Sequence, residues 1–248
     1  MDVASHSPGS FCTSILRTLD IERAAAFYGS LMGWNTERTS HRHRFFQWKG
    51  KTVASVQQIA IGKSNWVPQV SVENIELTTT QATALGATHI DTIDIEGVAR
   101  TATLRDSENT YLGLWQPAPH QGAQLTEEVG SLWWIEVLVN NVANSRDLYT
   151  RLFGWTAVDT AFEPFPSYVF FKRGNNHESG ILPINPNWGI APRWNSIFAV
   201  EDCDATVAHA VQLGAREEFV HTVPTAGRIG VFRDPDGAVF LIRGSVPR

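Results

Sequence analysis

The sequence predicts an α+β protein made of four βαβββ modules, two in each half of the chain. The main indication is a strand–turn–strand pattern that occurs twice, at residues 97–115 and 227–243, about 128 residues apart. Two dipeptides also end predicted helices, each of them once in each half. Gly-Trp does so at Gly33-Trp34 and Gly154-Trp155, and Gly-Ala at Gly86-Ala87 and Gly214-Ala215. The chain therefore reads as a duplication.

In the first half, residues at helical spacing alternate with β-rich runs. Asp20 is positioned to cap a helix, because its side chain can accept hydrogen bonds from the first-turn N–H groups. Apolar residues follow at the spacing of one buried helix face, and they are Ala24, Phe27, Tyr28 and Leu31. The predicted elements are strands over 13–18, 45–48, 52–59 and 67–72, helices over 21–32 and 75–85, and the hairpin over 97–115.

A linker over 117–129, rich in Pro and Gln, separates the predicted domains 11–116 and 130–245. The second half then predicts strands over 132–139, 168–172, 180–184 and 196–200, helices over 142–153 and 205–213, and the closing hairpin. In that hairpin, Asp234-Pro235-Asp236-Gly237 supplies the turn. The second half is longer, and Pro-rich loops at 162–166 or 185–188 are expected to hold the extra residues and to affect specificity.

Composition excludes several classes of function. The net charge of −5 and the pI of about 5.9 argue against binding to nucleic acid or to anionic membranes. The sequence shows no signal peptide and no apolar run long enough for a bilayer, so we expect a cytoplasmic protein. Cys12 and Cys203 lack the spacing of a zinc site or a disulfide framework. We expect a small-molecule partner and a monomer, with a homodimer as the alternative, since one chain already supplies four modules.

Several of these motifs resemble the vicinal oxygen chelate superfamily, which includes glyoxalase I, extradiol dioxygenases and bleomycin-resistance proteins. The resemblance rests on helices that end in Gly-Trp and on the later Arg233-Asp-Pro-Asp-Gly237 turn. His120-x-Gly-Ala, followed by Gly130-Ser-Leu-x-Trp134 and Glu136, is similar to the tandem glyoxalase-like proteins of actinobacteria. The resemblance implies two paired-module domains whose curled mixed sheets form cups.

The resemblance also implies where a divalent metal would be held, on the first strand of each module and on the last strand. In the first half these positions are occupied by Thr13, the region of Val67, and Gly113. In the second half they are Trp134 or Glu136, Asn195 and Leu241. Glu136 alone is a good ligand for a hard metal, and a metal site needs three or more ligands. We therefore expect no cofactor, with a divalent metal as the alternative.

Glu136 and His177 are the candidate catalytic residues. Glu136 interrupts an apolar strand, and alternation places it on one face with Trp134 and Leu138 and opposite Trp133. A carboxyl group buried in a cup has a raised pKa and suits acid–base catalysis, although a structural ion pair would also explain it. His177 could complete the acid–base pair or simply belong to a polar turn.

The remaining candidates are expected to contact the ligand, and they are Trp134, Asn195, Trp115, Arg17, Thr13, Phe198 and Leu241. Aromatic residues predicted at the cup mouths favour a bulky, partly aromatic metabolite. For Arg17 a surface ion pair is the alternative. Trp34 and Trp155 are expected to fill the core at helix ends, and residues 41–44 to form a solvated connector.

These observations lead to one functional prediction and two alternatives. The prediction is a metal-independent lyase or isomerase that acts in the C-terminal half. The alternatives are a metal-dependent glyoxalase-like lyase and a binding protein that sequesters a toxic compound without turnover.

Overall fold

The computed structural model describes residues 1–245. The first half contains β1 (Phe11–Thr18), α1 (Ile21–Met32), β2 (Asn35–Arg38), β3 (His43–Trp48), β4 (Lys51–Gln58), β5 (Asn65–Ser71), α2 (Ile75–Ala84), β6 (Thr88–Ile95), β7 (Ala99–Arg105) and β8 (Tyr111–Pro117). The second half repeats this order with β9 (Leu132–Val139), α3 (Val142–Phe153), β10 (Thr156–Phe162), β11 (Phe165–Arg173), β12 (Asn176–Pro183), β13 (Arg193–Ala199), α4 (Cys203–Gln212), β14 (Arg216–Val223), β15 (Gly227–Arg233) and β16 (Val239–Gly244).

Each half forms its own eight-stranded curled mixed sheet, as the duplication predicted. The strand orders are β2-β3-β4-β1-β5-β8-β7-β6 and β10-β11-β12-β9-β13-β16-β15-β14, so both halves have the same topology. Within each sheet, the first strands of the two modules pair antiparallel, β1 with β5 and β9 with β13. The predicted α+β class with two paired-module domains is confirmed.

The helices begin and end where local chemistry dictates. Asp20 and Asn141 cap α1 and α3 by accepting from the backbone N–H three residues later. Gly33 and Gly154 end the same helices at φ values of 69° and 68°, a left-handed conformation that glycine adopts readily. In the described part of the chain, no helix is long and apolar enough to cross a bilayer.

The two halves pack through the convex faces of their sheets, with the helices alongside. One hydrophobic core contains side chains of all four helices and of both sheets. The two tryptophans that follow the helix-ending glycines also join the halves. The Trp34 indole donates to the Gly130 carbonyl at 2.8 Å, and the Trp155 indole donates to the Gly9 carbonyl at 2.7 Å. Both are buried, as the sequence predicted.

A pair of equivalent polar networks crosses the seam between the halves. Tyr28 of α1 donates to the Asp234 carboxylate at 3.0 Å and accepts from Trp66. On the opposite side, Tyr149 of α3 donates to the Asp106 carboxylate at 2.9 Å and accepts from Trp194. The hairpin turn of each half is thus fixed by a helix of the other half. Trp194 belongs to the shared core.

Candidate functional site

Because the convex faces are buried against each other, each sheet turns its concave face away from the seam. We call the concave face of the first sheet the N-cup, and it includes the residues Thr13, Ile15, Arg17, His43, Phe45, Ser55, Gln57, Val67, Gln69, Thr101, Thr103, Gly113 and Trp115. We call the corresponding face of the second sheet the C-cup, and it includes the residues Trp134, Glu136, Leu138, Tyr168, Phe170, Gly180, Leu182, Asn195, Ile197, Val231 and Leu241.

Glu136 lies at the centre of the C-cup, partly buried, on the face that alternation predicted. The Tyr168 hydroxyl donates to its Oε2 at 3.1 Å, and Asn195 lies directly opposite on β13. Burial raises the pKa of the Glu136 carboxyl, while the Tyr168 hydroxyl, the Asn195 amide and the charge of Arg193 act in the opposite direction. Glu136 is therefore a carboxyl group of raised pKa whose side chain is only partly buried.

Tyr168 is a site residue that the sequence analysis did not identify. Its hydroxyl accepts from the Trp134 indole at 3.0 Å and donates to Glu136, which forms a chain of three side chains. Burial and the nearby Glu136 charge raise the pKa of Tyr168, so this hydroxyl keeps its proton and acts as a donor. A Cβ atom at Gly180 would overlap the Tyr168 hydroxyl. A glycine within a predicted strand was thus the available signal of a close approach.

Aromatic side chains surround this carboxyl group. The register of β9 against β13 shifts beside Trp133 and Trp134, and both indoles pack against the apolar cluster of the C-cup. This bulge explains why simple alternation, which placed Trp133 on the opposite face, was wrong. Phe162 and Phe165, at the turn between β10 and β11, pack against the same cluster. The predicted Pro-rich loop therefore does supply residues to the C-cup.

Two family models match the chain in sequence, one in each half. The model of the glyoxalase/bleomycin resistance protein/dioxygenase superfamily matches residues 131–242, and the model of a glyoxalase-like domain matches residues 13–111. The chain belongs to this superfamily. The predicted resemblance is confirmed, and so is the tandem arrangement of two superfamily domains.

Two relatives match nearly the whole chain at modest identity. The anthracycline biosynthesis protein DnrV of Streptomyces peucetius is 28% identical over 257 residues, which cover 95% of this chain and 93% of the relative. CFP32 of Mycobacterium bovis, named as a glyoxylase, is 26% identical over 245 residues, which cover 94% of each.

Two solved structures show the same fold. A Mn(II)-bound glyoxalase from Novosphingobium aromaticivorans superposes with a TM-score of 0.63 at 14% identity, covering 95% of this chain and 81% of the other. The 2,3-dioxygenase LapB from Pseudomonas sp. KL28 gives 0.60 at 14% identity, covering 96% and 93%. At these identities the likeness concerns the fold alone.

The superfamily's metal positions do not form a metal site in this chain. Within residues 1–245, no three His, Cys, Asp or Glu side chains come together in a way that could hold a metal ion. Around Glu136 the neighbouring cup positions carry Asn195, Trp134 and Leu241, and Leu241 is apolar and buried. These residues do not fit a divalent metal, which takes several oxygen, nitrogen or sulfur ligands.

The structure separates His177 from Glu136. His177 is exposed at the start of β12, opposite Lys172 on β11, and its ring stacks on Phe170 at 4.4 Å. Tyr168, not His177, contacts the carboxylate of Glu136. The contact predicted between Glu136 and His177 is therefore not the one that the described residues make, because the carboxyl group contacts a phenol instead.

The residues predicted to contact a ligand lie in the C-cup, in the N-cup or in the core between the halves. Trp134, Asn195 and Leu241 belong to the C-cup. Thr13 and Arg17 belong to the N-cup, where Arg17 forms an ion pair with Asp91 and donates to Thr103.

The other two, Phe198 and Trp115, are fully buried. Phe198 is fully buried in the core between the halves, beside Trp34, because alternation along β13 from the cup-facing Asn195 and Ile197 places it on the convex face. Trp115 faces the N-cup but is fully buried under His120, so it does not line an open mouth.

A surface groove lies elsewhere, at the seam between the halves. It has a volume of about 460 Å³ and is lined by Leu19, Arg23, Gly62, Lys63, Ser64, Arg233, Pro235, Asp236 and Gly237. Its walls are charged turns, and Arg23 is paired with Asp236 there. No aromatic side chain lines the groove. For chemistry on an aromatic metabolite, the C-cup is the better candidate.

Proposed function

We propose that the protein is an enzyme whose C-cup carries out metal-independent lyase or isomerase chemistry on a bulky, partly aromatic metabolite. The observation that carries this proposal is the chain from Trp134 through Tyr168 to Glu136, which places a carboxyl group of raised pKa among aromatic side chains. A carboxyl group in such surroundings can exchange a proton with a substrate near neutral pH.

In this proposal Glu136 takes a proton from a carbon atom beside a substrate carbonyl. The C–H bonding electrons pass into the enolate, and the proton returns from Glu136 to another carbon for isomerisation. In elimination, the enolate electrons form a new C=C bond as the bond from the next carbon to the leaving group breaks. The leaving group departs with the electrons of that bond and takes the proton from Glu136. Arg193, whose guanidinium is held against the Asn195 side chain at 2.9 Å, is the nearby cation that can stabilise the enolate oxygen. No oxidant or reductant is required.

The substrate class follows from the walls of the cup and from one relative. Trp133, Trp134 and Phe170 offer flat surfaces, and a fused aromatic ring system can stack on such surfaces. DnrV is named for anthracycline biosynthesis, and anthracyclines contain fused aromatic rings. We therefore propose a fused-ring aromatic ketone as the substrate, which would displace the Phe162–Phe165 turn on entry.

A sequestering protein is the second candidate, because the same aromatic wall can hold a ligand without turnover. An experiment in deuterated water separates the two functions. A tetracyclic anthracyclinone with a CH₂ group beside a ketone is incubated with the protein, deuterium incorporation is followed by NMR, and binding by tryptophan fluorescence. Catalysed incorporation supports the enzyme, whereas binding with no incorporation indicates sequestration.

We also propose that the protein works as a monomer. Each sheet is completed by strands of one half, so neither cup needs a second chain. Light scattering during gel filtration measures the mass directly, and a stable dimer would contradict this proposal.

A further inference from the structure

The N-cup contains a group of buried polar atoms that have no hydrogen-bond partner within residues 1–245. They are His43 Nε2, Ser55 Oγ, Gln57 Oε1 and Gln69 Oε1. These four residues are between 1% and 5% exposed. Buried polar groups in native proteins are almost always paired with protein, water or a ligand. Four such atoms on one concave face therefore point to something that the face binds.

The register of the strands places these side chains next to one another. His43 on β3 is directly opposite Gln57 on β4, and Gln57 is in turn beside Arg17 on β1. Gln69 on β5 lies between Thr13 and Gly113. The concave face of the first sheet thus carries a layer of polar side chains.

The backbone fixes which atom of each amide faces the cup. The Gln57 Nε2 donates to the carbonyl of Gln58 at 3.2 Å, and the Gln69 Nε2 donates to the carbonyl of Val67 at 2.8 Å. Because a carbonyl oxygen can only accept, the amide nitrogen must point toward it in both residues. The two Oε1 atoms therefore face the cup as acceptors, and their partner must be a donor such as a hydroxyl group.

Gly113 makes room for one of these acceptors. A Cβ atom at this position would overlap the amide of Gln69. The glycine thus allows the Gln69 side chain to lie flat across the neighbouring strand.

Arg17 adds a positive charge to the layer. Its guanidinium reaches across the cup to Asp91 on β6 and Thr103 on β7. A guanidinium has five N–H donors, so donors remain for a further acceptor. His43 adds no charge at neutral pH, since burial and, to a smaller extent, the nearby His120 lower its pKa to about 4. The polar layer thus combines two acceptors, Gln57 Oε1 and Gln69 Oε1, with one cation, Arg17. It also contains two groups that can either donate or accept, Ser55 Oγ and His43 Nε2.

We propose that the N-cup is a second binding site, separate from the C-cup, for a small hydroxy acid. Hydroxyl groups of the ligand donate to Gln57 and Gln69, and its carboxylate accepts from Arg17. Ser55 and the neutral His43 serve either as donors or as acceptors. The ligand is small because the cup is closely packed, and Trp115 and Phe45 fill its apolar end.

The test uses glycerate, the simplest probe that carries hydroxyl groups and a carboxylate, with glycerol and propionate as probes that lack one or the other. Binding to the full chain is measured by calorimetry. We expect glycerate to bind more tightly than either partial probe. Gln57→Leu and Gln69→Leu should each weaken glycerate binding about tenfold, the effect of one lost hydrogen bond. Arg17→Met should weaken binding of glycerate and propionate but not of glycerol.

Ser55→Ala provides an independent readout without ligand. It removes a buried hydroxyl group that has no hydrogen-bond partner within residues 1–245, so the melting temperature of the free protein should rise or stay equal. Gln81→Leu, on the exposed surface of α2, is the matched control and should leave glycerate binding unchanged. The proposal is overturned if glycerate does not bind, if both N-cup variants bind it as the wild type does, or if a crystal soaked in glycerate shows only water in the N-cup.

Discussion

The N-cup and the C-cup are built on the same strands, yet they place polar residues at different positions. Glu136 and Asn195 face each other in the C-cup, and the corresponding pair in the N-cup is Ile15 and Val67. Elsewhere the relation is reversed, with polar residues in the N-cup and apolar ones in the C-cup. These pairs are Arg17 with Leu138, Gln57 with Leu182, Gln69 with Ile197, Thr101 with Ile229 and Thr103 with Val231.

This difference shows how one scaffold can support two ligand chemistries. Strand register and convex packing are shared by both halves, so the concave positions can change without affecting the core. A carboxyl group surrounded by aromatic rings suits acid–base chemistry. A layer of amides and hydroxyls with one guanidinium suits the binding of a polar molecule.

The largest effect that distinguishes the cups is expected from Glu136→Gln. This change keeps the shape of the side chain and removes its titration, so catalysed deuterium exchange should fall by roughly 10²–10⁴ while ligand affinity changes little. Gln57→Leu is the matched change in the N-cup and should leave the exchange rate unaltered. The assignment of the active cup is wrong if the two variants behave the other way round.

Tyr168→Phe tests whether the phenol tunes the carboxyl group. The Tyr168 hydroxyl donates to Glu136 and lowers its pKa, so removing the hydroxyl should raise that pKa further. The ionised fraction at a given pH then decreases, and the limb of the pH–rate profile that reports Glu136 should move to higher pH. A purely structural role would lower the rate at every pH without moving the profile. We expect a loss of roughly tenfold at neutral pH.

Gly180→Ala and Gly113→Ala compare how rigid the two cups are. Each added methyl group overlaps a neighbour, the aromatic ring of Tyr168 in one case and the amide end of Gln69 in the other. A ring packed among other rings moves less easily than a flexible amide. We therefore expect Gly180→Ala to lower the free energy of unfolding by about 1–3 kcal/mol, and Gly113→Ala by less. Chemical denaturation measures both, and equal losses would contradict the expected difference.

The smallest expected effect concerns the pH dependence of stability. Burial raises the pKa of Glu136 in the folded state. Between the unfolded value of about 4.3 and the raised folded value, the folded protein holds a proton that the unfolded chain has released. Wild-type stability therefore falls as pH rises through this window.

Gln has no such titration, so Glu136→Gln should melt at the wild-type temperature near pH 4 and at a higher temperature near pH 7. Thermal melts across this range test the sign, with exposed Glu201→Gln as the control for the change of residue type. If the melting temperature of Glu136→Gln exceeds that of the wild type by less at pH 7 than at pH 4, the raised pKa is contradicted.

Helix positions, the duplication and the topology class could be read from the sequence because each rests on local signals. Helices α1 and α3 have the predicted bounds, since capping residues and glycines mark both of their ends. Strands β2, β6, β10 and β14 were not located. All four are edge strands with mostly exposed residues, so they lack the apolar alternation that marks a strand.

The polar contacts of the cups could be predicted less well, because they depend on neighbours distant in sequence. Glu136 was conspicuous as a charge within an apolar strand, but Tyr168 reaches it only through the pairing of β11 with β12 and β12 with β9. His43 was expected in a solvated connector, yet it is 1% exposed because β3 begins at this residue. The exposed His41 agrees with the prediction for that connector.

The indole hydrogen bonds of Trp34 and Trp155 limit which positions in the two halves can be substituted independently. Each tryptophan binds the carbonyl just ahead of the other half's first strand, so each copy of the duplicated segment holds the start of its sister. A mutation on a convex face alters both copies' shared surface, whereas a mutation in a cup alters one copy alone. The duplication thus leaves each concave surface free to acquire a new ligand while the joint surface stays under common constraint.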